Sequence, residues 1–194
     1  MKKELEKEFY DEVYSSGGSN KMYFKKYTES PYYFTWKIAL SFLKEKSLSV
    51  LDIGCGPGQF AEMLFDSGIK NYIGFDFSKQ AIEMAKKTNL ENSEKFFVED
   101  IFKTDIFNNE FDVYFCFEVL EHIDNDLGVF DKVPSGKEMI CSVPNYNSKG
   151  HVRVFKSAQK VVDRYSKVLN ITNVIPVNIS ANGNTIYVFR GTKV

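Results

Sequence analysis

Val50-Leu51-Asp52-Ile53-Gly54-Cys55-Gly56-Pro57-Gly58-Gln59-Phe60 is the stretch on which the fold of this chain turns. It reads as a short apolar strand ending in an acid, then a glycine loop, then the first residues of a helix. Glycine at three alternate positions removes side chains where the backbone takes positive φ or a ligand comes close. At a helix N-terminus, such a loop can press a small ligand against main-chain N–H groups. A phosphate-binding loop would be longer and end in Lys-Ser/Thr. A dinucleotide loop would space its glycines G-x-G-x-x-G, and this loop does neither.

Outward from that stretch, strand and helix patterns alternate. Strand 48–53 leads to helix 58–67, closed by Gly68, and strand 71–75 ends at Asp76. Ser78 caps a helix reaching about Lys87, and strand 95–98 is followed by Glu99-Asp100. Strand 112–117 runs into Glu118-Val-Leu-Glu-His122, and a short helix lies near 125–132. Strand 138–143 ends at Pro144-Asn145, and a helix spans 157–169. Strands near 172–179 and 184–190 then flank Asn182-Gly183-Asn184, a hairpin signal. This is an α/β pattern: a parallel sheet with helices on both faces, closed by an antiparallel hairpin. Ahead of it, residues 2–14 form an amphipathic helix through Leu5, Phe9 and Val13, and the stretch 15–20 breaks it. Ser30-Pro31 starts a helix over 31–46 that is apolar nearly all round.

The 194 residues are enough for one core, and 43% hydrophobic with 26% charged residues marks a globular chain. A net charge of -1 supplies no field for nucleic acid or an anionic membrane, so neither is expected as a partner. No apolar run is long enough for a membrane span, and the charged start is unlike a signal peptide. Cys55, Cys116 and Cys141 are expected as reduced, buried thiols, consistent with a cytoplasmic protein.

Asp52-Ile-Gly-Cys-Gly-Pro-Gly58 resembles the first motif of class I S-adenosylmethionine-dependent methyltransferases. Five β-α units closed by an antiparallel hairpin resemble that family's Rossmann-like seven-stranded sheet, over about residues 30 to 190. The resemblance implies S-adenosylmethionine as cofactor and S-adenosylhomocysteine as product. Gly54, Gly56 and Gly58 would then lie under the amino-acid end of the cofactor, with Asp52 beside its ammonium group. Asp76, 18 residues after Gly58 and followed by Phe77, would accept the ribose hydroxyls. Asp100, with Ile101, would face the adenine amino group, although the Glu99-Asp100 doublet leaves a one-residue ambiguity. Phe117 and Glu118 would approach the methionine portion and the substrate.

The sulfonium is already a good electrophile, so the protein must align a nucleophile and exclude water. A base is needed only where the nucleophile carries a proton of high pKa, and His122 and His151, the only histidines, are the candidates. If helical, Glu118-x-x-Glu121-His122 would place three side chains on one face, where His151 could join them around a divalent cation. The stretch resembles that of ubiquinone-pathway O-methyltransferases and of small-RNA 3′-end 2′-O-methyltransferases, where these residue types hold a metal. It is also widespread in methyltransferases with no known metal, so no residue is assigned as a metal ligand.

After the fourth strand the chain has neither Asn/Asp-Pro-Pro-Tyr nor a Pro-Cys nucleophile. That departs from enzymes methylating amino groups of nucleobases or glutamine, and from cytosine C5 enzymes. Ser142-Val-Pro-Asn145, with the 150–155 stretch, resembles small-molecule methyltransferases. The expected function is therefore methyl transfer to an O or N nucleophile of a small molecule, by a monomer or homodimer. A metal-assisted RNA 2′-O-methyltransferase and a non-catalytic cofactor-binding module are the alternatives. Residues 9–36 hold ten aromatics outside the expected sheet. Residues 1–29 are therefore expected to form a lid over the carboxyl ends of the strands, with the methyltransferase domain at 30–194.

Overall fold

The computed structural model describes residues 3–194, so the first one or two residues of the expected helix and lid lie outside the described residues. The strands are β1 (Val50–Ile53), β2 (Tyr72–Asp76), β3 (Phe96–Val98), β4 (Val113–Phe117), β5 (Glu138–Pro144), β6 (Leu169–Asn178) and β7 (Thr185–Lys193). They form one sheet in the order β3-β2-β1-β4-β5-β7-β6. The first five strands are mutually parallel, and β7 runs antiparallel to both β5 and β6. The strand order reverses between β1 and β4, and ligands of open α/β sheets bind outside the carboxyl ends at such a point.

Helices cover both faces, which is why the central strands read as continuous apolar runs. The helices are α1 (Lys7–Ser15), α2 (Tyr33–Ser41), α3 (Gln59–Asp66), α4 (Lys79–Thr88), α5 (Asp126–Phe130) and α6 (Ala158–Tyr165). Alternate strand residues face opposite cores. Val50, Phe115, Ile140 and Val188 pack with Trp36 and Ala39 of α2, Phe60 and Leu64 of α3, and Ile82 and Ala85 of α4. Leu51, Tyr114, Cys141 and Phe189 pack with Phe130 of α5 and with Val161 and Tyr165 of α6. Ser78 caps α4 by accepting from Ala81 N–H at 3.1 Å. The three cysteines are free and buried.

Several boundaries differ from the sequence reading. The helix expected over 31–46 is only Tyr33–Ser41 and buries one side, with Phe34 left exposed. The helix expected over 157–169 ends at Tyr165, because buried Leu169 already pairs with Lys193 in the sheet. The 118–122 segment is not a helix. Glu118 takes φ +54°, its N–H donates to Ser142 Oγ, and the Leu120 and Ile123 carbonyls accept from the Arg153 guanidinium. Backbone groups that a helix would pair internally are thus turned outward to neighbouring segments.

Between α1 and α2 the chain turns sharply, with positive φ at Gly17, Gly18, Asn20 and Lys21. Helix α1 is held against the amino end of α4. Asp11 Oδ1 accepts from Ser78 Oγ at 2.5 Å and from Gln80 N–H at 3.2 Å. Farther out, Glu4 accepts from Asp124 N–H at 2.7 Å. No helix among the described residues is long and apolar enough to cross a membrane.

Candidate active site

The loop leaving β1 is shaped by what its glycines avoid. At Gly54, φ +73°, a Cβ would lie 2.5 Å from Val119 Cγ2. At Gly58, φ +78°, it would lie 2.9 Å from Ala85 Cβ. Side chains at these two positions would therefore separate the loop from the β4 exit and α3 from α4. Gly56 N–H donates to Asp76 Oδ2 at 3.0 Å, and Ser78 N–H donates to Asp76 Oδ1 at 2.9 Å. One carboxylate therefore ties the glycine loop to the start of α4. Asp52, also buried, accepts from Tyr72 Oη at 2.8 Å. Among the described residues no lysine or arginine forms an ion pair with Asp52 or Asp76.

The other predicted positions are distributed around this loop. Phe77 is partly exposed and lies against Tyr10, ring centroids 5.2 Å apart. The Asp100 carboxylate accepts from Phe102 N–H and pairs with Lys103 Nζ, each at 2.9 Å, while Ile101 beside it is partly buried. Phe117, at the end of β4, packs edge-on against Phe60 at 4.9 Å. Ser142 Oγ donates to Glu118 Oε1 at 2.9 Å and accepts from Glu118 N–H, a reciprocal clasp across β4 and β5.

Beyond Glu118 the structure gathers Glu121, His122 and His151, whose candidate ligand atoms all lie within 4.8 Å of one another. His122 Nε2 and His151 Nε2 stand 3.8 and 3.9 Å from Glu121 Oε1. Glu121 is fully buried and neither carboxylate oxygen accepts a hydrogen bond. One carboxylate with two imidazoles is a donor set that fits a divalent cation. Glu118 is not among the three, since its backbone turn carries it to Ser142 instead.

The family model for a methyltransferase domain matches residues 51–133. The chain is 30% identical over 120 residues to a ubiquinone biosynthesis O-methyltransferase of Vibrio parahaemolyticus, covering 58% of this chain and 51% of that protein. It thus spans about half the length of the curated relatives it matches. Among solved structures, magnesium protoporphyrin IX methyltransferase from Synechocystis PCC 6803, with bound S-adenosylmethionine, aligns with a TM-score of 0.71 at 15% identity over 98% of both chains. A 1,6-didemethyltoxoflavin-N1-methyltransferase from Burkholderia thailandensis aligns with a TM-score of 0.75 at 14% identity, over 97% of this chain and 87% of that one. Residues 51–133 are thus similar to a methyltransferase domain, and the chain shares the fold of S-adenosylmethionine-dependent methyltransferases of known structure.

Two groups around this site escape a linear reading of the chain. Arg153, besides its bonds to Leu120 and Ile123, donates to the Asp124 carbonyl at 2.9 Å and lies 3.4 Å from buried Asp126. Val152 N–H donates to the Glu121 carbonyl at 2.8 Å. These bonds hold the 118–124 and 150–153 segments together, which is how His151 reaches Glu121. Tyr10 is the second. Its hydroxyl lies 2.9 Å from His122 Nδ1. In the sequence Arg153 is one member of the 150–155 stretch and Tyr10 one aromatic among many, with nothing to mark either.

Burial raises the pKa of Asp52 to about 7, Asp76 to about 6 and Glu118 to about 7, against the Tyr72, Ser78 and Ser142 bonds that lower them. Burial pushes Glu121 well above the carboxylate range and His122 down to about 4. Each raised carboxyl keeps, in the folded chain, a proton that the unfolded chain releases near its ordinary pKa of about 4. Stability from these groups is therefore lost as pH rises from there to the raised values, whereas His122 contributes oppositely between about 4 and 6.5. With the carboxyls outnumbering the histidine, the melting temperature of the ligand-free protein is expected to fall between about pH 5 and 7.5. Circular-dichroism melts across that range check it, and a rising melting temperature would contradict the assigned burial effects.

Proposed function

We propose that the protein binds S-adenosylmethionine on the 54–58 loop and transfers its methyl group, by in-line displacement, to an O or N nucleophile of a small molecule, releasing S-adenosylhomocysteine. The carrying observation is the pair of buried carboxyls, Asp52 and Asp76, flanking a glycine loop and without a basic partner among the described residues. Their missing counterpart suits an ammonium group at Asp52 and ribose hydroxyls at Asp76. Gly54, Gly56 and Gly58 let the amino-acid end approach the backbone, and Phe77, Asp100 and Ile101 would bound the adenosine end. Phe117 and Glu118 would border the methionine portion. When bound, the cofactor supplies the electrophilic methyl group. The chain's own part is to orient the acceptor, exclude water and take up a proton, for which His122 and His151 are the catalytic candidates. Low net charge and the names of the relatives support a small-molecule acceptor and a cytoplasmic protein without nucleic-acid or membrane partners.

Replacing Asp76 by Ala should weaken S-adenosylmethionine and S-adenosylhomocysteine alike, by about 1.5–3 kcal/mol. Calorimetric titration showing unchanged affinity for both would remove Asp76 from the site.

A second reading is favoured by the orphaned Glu121 carboxylate: Glu121, His122 and His151 would hold a divalent cation. Bound there, such a cation would acidify a hydroxyl acceptor. An anomalous-scattering peak among the three side chains, with activity lost to a chelator and restored by Mg²⁺ or Mn²⁺, is the result expected on this reading. Chelator-insensitive methyl transfer without such a peak would leave the histidines as bases.

Residues 1–29 are further proposed as a lid. Tyr14 Oη comes within 3.3 Å of where a Gly56 Cβ would be, and Gln59 Nε2 donates to the Met22 and Lys25 carbonyls at 3.0 and 2.6 Å. Deletion of residues 1–20 should leave the core folded, speed cofactor release and suppress methyl transfer. A lowered melting temperature with unchanged cofactor exchange would instead describe a packing helix.

A further inference from the structure

The N-terminal helix carries more than a cover. Along one side of α1, Tyr14 reaches the glycine loop, Asp11 the start of α4, and Tyr10 the histidine pair. Tyr10 Oη lies 2.9 Å from His122 Nδ1, and the two rings meet edge to face at 5.5 Å. Phe77 supports the tyrosine ring from the other side, at 5.2 Å. Gly150, φ +89°, leaves room for both groups, because a Cβ there would lie 3.0 Å from Tyr10 Oη and 3.2 Å from His122 Nδ1. The hydroxyl is thus seated on one nitrogen of a histidine whose other nitrogen, Nε2, faces Glu121.

A neutral imidazole has one protonated nitrogen and one lone pair, and the partner of the first decides where the second points. His122 can accept a proton or ligate a cation toward Glu121 only if the lone pair is on Nε2. That requires Nδ1–H, with an acceptor on its side of the ring. The Tyr10 hydroxyl, which can donate or accept, places its oxygen where such an acceptor is needed. The Gly150 backbone acts on the same ring as a second one. The half-buried Tyr10 hydroxyl stays protonated here, since desolvation and the nearby Glu121 raise its pKa far above the ordinary value.

We propose that Tyr10 is a positioning residue of the active site, whose hydroxyl oxygen accepts Nδ1–H of His122 and so directs the Nε2 lone pair toward Glu121 and His151. The inference rests on the role given to His122 above, and it makes the N-terminal helix a component of the reacting centre. Without α1, His122 loses this partner and its tautomer is no longer imposed.

The test is the tautomer itself. The chain has two histidines, so ring nitrogens labelled with ¹⁵N give a spectrum that a His151→Gln variant assigns. At pH 8, without cofactor or acceptor, His122 should appear as the Nδ1–H form in the wild-type protein. Tyr10→Phe keeps the ring packing and removes the oxygen, and it should shift His122 toward the Nε2–H form. Loss of such an outer partner typically costs about 10–100-fold in activity, so kcat should fall on that scale while the Kd for S-adenosylmethionine stays unchanged. An Nε2–H wild-type ring overturns the proposal. So does a tautomer identical in Tyr10→Phe, which would assign it to the Gly150 backbone. Because the spectrum needs no methyl transfer, failure of the functional reading leaves this result standing or falling by itself.

Discussion

Three buried carboxyl groups and a fourth, half-buried one at one end of a parallel sheet, with no lysine or arginine among the described residues paired to any of them, are the constraint that organises this protein. Burying an ionised carboxylate without a partner is costly, and the chain meets the cost in different ways. Asp76 receives two backbone N–H groups, Asp52 a tyrosine hydroxyl and Glu118 a serine hydroxyl, whereas Glu121 receives nothing. The contrast with Asp126 is instructive. That acid is as deeply buried, but it is matched by Arg164, Arg153 and Tyr165. Asp126 thus reads as architecture, whereas the four acids near the carboxyl ends of the strands are met by neutral donors or, at Glu121, by none among the described residues.

The two halves of the site are held by different means. Around the glycine loop the geometry is local: Asp76 ties the loop to the start of α4, and the Gly54 and Cys55 N–H groups donate to the Phe75 carbonyl at the end of β2. Around the histidine pair it is assembled from segments far apart in the chain. Arg153 takes three carbonyls of the 118–124 turn while lying beside Asp126, so a single guanidinium fixes the turn carrying Glu121 and His122 to the segment carrying His151. Arginine suits this task because its planar fork presents several donors at once.

Much of this was legible in the residues. The strand-acid-glycine pattern at 50–58 announced the parallel sheet and the glycine loop at its switch point, because it depends on neighbours in sequence. The terminal hairpin was legible for the same reason, through Gly183 at φ +81°. Spacing failed at 118–122, where a helical rule grouped Glu118 with Glu121 and His122. Tertiary bonds to Ser142 and Arg153 unwound that turn and sent Glu118 elsewhere. Nor could sequence distance relate Tyr10 to His122, since only the docking of α1 on α4 makes them neighbours.

The single tryptophan gives this arrangement an optical consequence. Trp36 is buried in α2, with Tyr32 at 5.8 Å and Phe60 at 6.1 Å between ring centroids. Phe60 opens α3 directly behind the glycine loop, and Tyr32 closes the aromatic segment that leads in from the N-terminus. One fluorophore therefore sits between the two parts of the molecule whose movements matter. Its emission becomes a built-in reporter, readable in real time without any added label.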